Sequence, residues 1–150
     1  MYQRILVPID GSAPAKLALD EAIKLARSTK GRVLLLHVAQ IPVGLDFGAG
    51  MAAGSDVVFQ ALAEAGKDAL KNAQQAAEAA GVPVETRLAG PEIGAIAPSI
   101  VEAAEDWKAD LLVMGTHGRR GLDHLMLGSV AERVLRTTPV PVLMVRPTKE

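Results

Sequence analysis

The sequence contains no cysteine, which excludes disulfide staples and cysteine-ligated metal centres and accords with a reducing compartment. Aromatic residues amount to 3% of the chain, so leucine, valine, isoleucine and alanine have to supply any core. An excess of either charge is missing as well. The 16 Lys and Arg stand against 17 Asp and Glu, a net charge of -1, so there is no broad electrostatic footprint for nucleic acid and any anion site must be local. The opening MYQRILVPID has one basic residue and an apolar run cut short by Pro8, which is neither a secretory signal nor a membrane span. These absences point to a cytoplasmic protein with no membrane insertion and no nucleic-acid partner.

What remains is a globular composition, 49% hydrophobic and 22% charged over 150 residues, which suits a single domain spanning 1–150. The apolar pattern alternates between β-rich runs and helical spacing. Arg4 to Ile9 reads as a first strand closed by Asp10-Gly11-Ser12, and Ala13 to Ser28 as a helix with Ser12 as N-cap and Pro14 in its first turn. Its inner side is expected to carry Leu17, Ala18, Ala22, Leu25 and Ala26, with Glu21 at the margin and Gly31 ending the helix. Arg32 to Ala39 is a second strand whose unbroken Val33-Leu34-Leu35-Leu36 argues burial on both faces, as in a parallel sheet. An irregular stretch from Gln40 to Ser55 precedes a long alanine-rich helix, Asp56 to Ala80, with Gly66 as its weak point. A third strand covers Val84 to Leu88. A helix from Ile93 to Trp107, interrupted or restarted at Pro98, leads to a strand at Leu111, a further helix and a last strand, Val140 to Val145.

Five strands with four interposed helices give an α/β fold, an open five-stranded parallel sheet with helices on both faces. Strand order is not readable from the alternation. Ligands of such sheets collect at the carboxyl ends of strands where the order reverses, and Asp10 and Gly115 both stand at strand ends.

The stretch richest in chemistry runs from Leu111 to Arg136. Gly115, Gly118 and Gly128-Ser129 fall on the loop between the apolar Leu111-Leu112-Val113-Met114 and the helical spacing that resumes at Val130. Glycine lets backbone N–H groups approach an anion with no Cβ in the way, and a helix start adds partial positive charge. Arg119 and Arg120 add full charge beside them. The same residues admit a plainer role as turns, with Ser129-Val130-Ala131-Glu132 as a capping box. The two uses are compatible, since a hydroxyl that accepts from a backbone N–H can still donate its own hydrogen to phosphate.

Other motifs weigh less. The pattern G-x-x-x-x-G-K-[ST] is absent, which argues against a P-loop enzyme. Gly48-Ala49-Gly50-Met51-Ala52-Ala53 fits G-x-G-x-x-A, but Pro42 and Gly44 stand where a strand should lead into it, so it reads as a loop. His37, between Leu36 and Val38, reads as a core histidine, and His117 and His124 with Asp123 match no zinc spacing. Asp10 either stabilises the turn before the first helix or holds Mg²⁺ or Mn²⁺ carried by phosphates.

VPIDGS at Val7 to Ser12, LLLHV at Leu34 to Val38, DLLVMGTHGRRGLDHLMLGSVAERVL at Asp110 to Leu135 and PVPVLMVRP at Pro139 to Pro147 together resemble the universal stress protein family over essentially the whole chain. One branch of that family binds ATP through G-x2-G-x9-G-[ST], which Gly115, Gly118, Gly128 and Ser129 reproduce. The resemblance implies a Rossmann-like sheet of order 3-2-1-4-5, with the first and fourth strands side by side at the switch point. It implies that Asp10 faces the ribose or a metal, that the backbone of Val38 meets adenine, and that Pro8 and Met114 line its pocket. Gly118, Gly128, Ser129 and Val130 would then hold phosphates with Arg119 as an extra contact, while Arg120 reads as a solvated loop charge. It also implies a homodimer through Val140 to Val145. The residues have their own reason to agree, since that run is apolar at every position and its Pro141 suits a strand edge or start. Burial beneath a neighbouring helix is the alternative.

The expected function is a nucleotide-responsive regulatory module in stress response, binding ATP and read by a protein partner. A slow ATPase or autophosphorylating enzyme is the first alternative, with His117 and Asp10 candidates by location only. A dimeric scaffold independent of nucleotide is the second.

Overall fold

Odd and even residues of each central strand go to opposite sides, and this alternation builds the molecule. The computed structural model describes residues 1–41, 52–93, 96–116 and 127–148, with the backbone alone at 52–55 and 91–93. Strand β1 is Arg4–Pro8, helix α1 Ala13–Thr29, β2 Arg32–Ile41, α2 Ala52–Ala79, β3 Val84–Ile93, α3 Ala97–Asp106, β4 Leu111–Gly115, α4 Ser129–Thr137 and β5 Val142–Val145. The strands form one parallel sheet in the order β3-β2-β1-β4-β5. Ile5, Val7, Val33, Leu35, Leu111 and Val113 pack with α1 and α2 on one face. Leu6, Leu34, Leu36, Leu112 and Met114 pack with α3 and α4 on the other. Both faces of the three middle strands are therefore dry, which is why their sequences are continuous apolar runs.

The amino end of the sheet is pinned by polar contacts. The Asp110 carboxylate accepts the backbone N–H groups of Gln3 and Arg4, each at 2.9 Å, tying the start of β1 to the start of β4. The Arg4 guanidinium lies 4.2 Å from the centroid of the Trp107 ring and donates to the Trp107 carbonyl, while the indole N–H donates to Glu85 at 3.3 Å. A cation over an indole face gains from the ring quadrupole, and it covers the end of the core here.

Several boundaries and buried faces differ from the expectations. The buried stripe of α1 is Ala15, Ala18, Leu19, Ala22, Ile23 and Ala26. Leu17, expected inside, is exposed, because it falls off the stripe that Ala15, Ala18, Leu19, Ala22, Ile23 and Ala26 define. The left-handed residue that ends α1 is Lys30, with φ of 56°. Gly31 instead serves close approach, since a Cβ there would lie 2.9 Å from both the Cα and the carbonyl oxygen of Gln3.

Strand β3 continues past the expected Leu88 to Ile93, following β2 to Ile41 across an irregularity between Val38 and Gln40. Gly90, with φ of 96°, takes the bend, and Pro91 is tolerated because β3 is an edge strand. Helix α2 starts earlier than expected and α3 later. Pro98 sits in the first turn of α3, where its missing N–H costs nothing. Strand β5 begins at Val142 rather than Val140, because the Val140 N–H donates to the Thr138 hydroxyl at 3.1 Å and holds that segment in a turn. Pro141 directly precedes the strand, and its carbonyl accepts from the N–H of Leu112 at 2.9 Å.

Candidate functional site

At the carboxyl end of the sheet β1 parts from β4. Their register carries Ile5 opposite Leu111 and Leu6 opposite Leu112 and ends there, whereas β1 follows β2 as far as Pro8 opposite Leu36. This is the point where the strand order reverses, and a crevice between diverging strand ends is where open α/β sheets take ligands.

On the β1 side, Ile9 donates its N–H to the Leu36 carbonyl at 2.7 Å. Asp10 follows, and its Oδ1 accepts the Ser12 N–H at 2.9 Å, so Asp10 does stabilise the turn before α1. A single carboxylate at this position would also fit a Mg²⁺ or Mn²⁺ ion carried by phosphates, since Mg²⁺ is usually held by only one or two carboxylates beside the phosphates it accompanies. Among the described residues no three His, Cys, Asp or Glu side chains gather into a metal site. Ser12 caps α1, its hydroxyl accepting the Ala15 N–H at 3.3 Å.

On the β4 side, Gly115 meets α1. A Cβ built on it would lie 2.7 Å from Pro14 Cβ and 2.8 Å from the Pro14 carbonyl oxygen, so only glycine lets the first turn of α1 close against the end of β4. Thr116 is buried, 3% exposed. Its N–H donates to the Val145 carbonyl at 3.1 Å and its carbonyl accepts the Gly128 N–H at 2.7 Å. The chain that leaves β4 at Thr116 therefore returns to it at Gly128, and the start of α4 is drawn to the end of β4. Residues 117–126 between them, which include Gly118, Arg119, Arg120, His117, Asp123 and His124, lie outside the described residues, as do Gly48 to Met51.

The expected capping box is absent. Gly128, not Ser129, is the N-cap of α4, Ser129 is its first helical residue, and no side chain caps this helix. The cause is the grip of Thr116 on the Gly128 N–H, which starts the helix one residue early. Glu132, which would have closed the box, pairs with Arg136 at 2.7 Å and donates its own N–H to the Gly128 carbonyl. Ser129 is exposed and Val130 half-buried, in the first turn of α4, whose N–H groups have no acceptor within the helix. This difference is measurable. Ser12→Ala should cost about 1 kcal/mol of stability in urea denaturation, whereas Ser129→Ala should change it by less than about 0.5 kcal/mol. Equal losses would restore the capping role.

Val38, 8% exposed, and Met114, 6% exposed, belong to one apolar cluster on the α3 and α4 side of the sheet. Val38 lies two residues beyond Leu36, the register partner of Pro8, and Pro8 is half-buried. Thus Pro8, Asp10, Val38, Met114 and Gly115 share the carboxyl ends of three adjacent strands, and Gly128, Ser129 and Val130 join them through the Thr116 link. Sequence reasoning missed Thr116 and the packing role of Pro14. The only signal for Thr116 was a β-branched residue set between two motif glycines. A hollow of about 370 Å³ lined by Lys30, Gly31, Gly81 and Pro83 lies at the amino ends of the strands, away from these residues.

The model of the universal stress protein family matches residues 1–146. Universal stress protein MJ0531 of Methanocaldococcus jannaschii is 39% identical over 153 residues, spanning 100% of this chain and 85% of the relative. Universal stress protein YxiE of Bacillus subtilis is 33% identical over 151 residues, spanning 97% and 100%. Among solved structures, the hypothetical protein MJ0577 superposes with a TM-score of 0.84 at 29% identity, covering 100% of this chain and 99% of the other. A universal stress protein in complex with cAMP superposes with a TM-score of 0.70 at 30% identity, covering 98% and 99%.

Proposed function

The chain belongs to the universal stress protein family, and on that premise we propose that it binds ATP at the carboxyl ends of β1 and β4 and works as a nucleotide-responsive regulatory module. The observation that carries this reading is the 2.7 Å bond from the Gly128 N–H to the Thr116 carbonyl. It draws the head of α4, with Gly128 and Ser129, to the residue that follows Gly115 at the end of β4, which supports the reading that these members of the G-x2-G-x9-G-S pattern serve one site. In this reading the first-turn N–H groups of α4, which no carbonyl within the helix takes, offer their partial positive charge to the phosphates.

In this reading Asp10 takes the ribose or a phosphate-borne Mg²⁺ or Mn²⁺, the Val38 backbone meets adenine, and Pro8 and Met114 wall its pocket. Gly118, Gly128, Ser129 and Val130 hold the phosphates with Arg119. The relative solved in complex with cAMP, at 30% identity over nearly the whole chain, supports an adenine nucleotide as the ligand class. Regulation requires that ATP bind one conformation better than another, and a protein partner would read that difference. We further propose a homodimer through β5. It is an edge strand whose Leu143 is 36% exposed, and pairing with a second copy would cover both its open backbone and that side chain.

Calorimetric titration of the nucleotide-stripped protein with ATP and Mg²⁺, run beside cAMP and followed by assay for ADP, tests the site. Saturable ATP binding without ADP is the expected result. Steady ADP production would turn the module into an enzyme, preference for cAMP would change the ligand, and no heat with either would remove the nucleotide from the reading.

A further inference from the structure

Strand β2 buries seven residues in succession, Val33 to Ala39, and six of them are apolar. The seventh is His37, 9% exposed, one of two buried polar side chains among the described residues. An imidazole in such a place costs stability that a leucine would not, unless a hydrogen bond compensates it. His37 Nδ1 lies 2.6 Å from the Ile9 carbonyl oxygen. A carbonyl only accepts, so Nδ1 carries the hydrogen and the tautomer is set by this contact. The neighbouring Leu36 carbonyl takes the Ile9 N–H at 2.7 Å. Two successive residues of β2 therefore hold both backbone polar groups of Ile9, immediately beyond the last register pair between β1 and β2.

The far side of the ring is fixed as well. A Cβ on Gly66 of α2 would lie 2.3 Å from His37 Cδ2 and 2.8 Å from Nε2. Glycine inside a helix weakens it, and at Gly66 it is the only residue that leaves room for the imidazole. The weak point of the long helix is a seat for a ring.

Resting on the nucleotide reading above, we propose that His37 is a positioning residue of that site. By holding the Ile9 carbonyl it fixes the turn that follows, so that Asp10, already tied to the Ser12 N–H, stands preorganised toward ribose or metal. Preorganised groups bind without first paying to be ordered, and a supporting hydrogen bond behind them is how that is achieved.

The test compares His37→Leu with His37→Asn. Leucine keeps the bulk and loses the donor, whereas the asparagine amide N–H₂ stands near the place of Nδ1–H and can donate to Ile9. Two readouts are taken: ATP affinity by calorimetry in the presence of Mg²⁺, and hydrogen exchange of the Ser12 amide by NMR without nucleotide. His37→Leu is expected to weaken ATP binding about tenfold or more and to speed Ser12 exchange, and His37→Asn to recover most of both. Wild-type affinity and exchange in His37→Leu would overturn the proposal, as would His37→Asn behaving like His37→Leu. If His37→Leu does not fold, Gly66→Ala takes its place, pressing on the ring from α2, with the same two losses expected and their absence overturning the proposal. A wild type that takes no ATP would remove the nucleotide reading, and Ser12 exchange would still decide whether His37 holds the turn.

Discussion

Gly115→Ala is expected to destabilise the fold by about 3 kcal/mol, a large share of the stability of a domain this size. The added methyl would stand 2.7 Å from Pro14 Cβ, 2.8 Å from the Pro14 carbonyl oxygen and 2.9 Å from its carbon. Two of these three atoms are backbone, so no rotamer change relieves the overlap. The strand cannot yield, because Leu112 and Val113 are 0% exposed and packed on opposite faces. The helix can yield only by lifting Ala18 and Ala22, both 0% exposed, from the same core. Loss of chain entropy in the unfolded state would favour alanine by about 0.4–1 kcal/mol, too little to reverse the sign. The urea midpoint should fall with an unchanged slope, and the ATP affinity should fall with it, because the turn from Asp10 to Ser12 moves with the head of α1. An unchanged midpoint would mean that α1 does not close on β4.

The layered fold was legible because the physics that writes it is local. Val33-Leu34-Leu35-Leu36 and Leu111-Leu112-Val113-Met114 are apolar on both parities, as a doubly covered parallel strand requires, and both are short and set between helical stretches. The order of the strands was not legible from alternation, since nothing in Arg4 to Pro8 says which neighbour it takes; it came from the family resemblance, and the observed sheet has that order. At two helix ends a distant atom overrode the local cue. Ser129 had every mark of a cap, and the Thr116 carbonyl across the loop moved the cap to Gly128. Gly31 and Gly66 read as a stop and a flaw, yet both are glycine because Gln3 and His37 come close. A glycine in sequence announces that something is unusual, and only the fold tells whether a dihedral angle, a neighbour or a ligand demands it.

That distinction makes Gly128→Val the decisive substitution for function. Gly128 has φ of -61° and ψ of 152°, a conformation open to valine, so its backbone does not demand glycine as the approach of Pro14 to Gly115 does. Its N–H can still reach Thr116 in the variant, and exchanging glycine for a poor N-cap should cost about 1 kcal/mol. The variant is therefore expected to fold and to elute as the wild type does in size-exclusion chromatography. The isopropyl group, however, would stand at the head of α4, beside the N–H groups of Ser129 and Val130 that the proposed site uses for phosphate. ATP affinity should fall about 100-fold or more, equivalent to about 2.7 kcal/mol, with no comparable change in the urea midpoint. Binding lost with the fold intact would assign this glycine to the ligand. Affinity unchanged would leave phosphates without the third glycine of the motif, whereas loss of the fold itself would make Gly128, like Gly115, a packing residue.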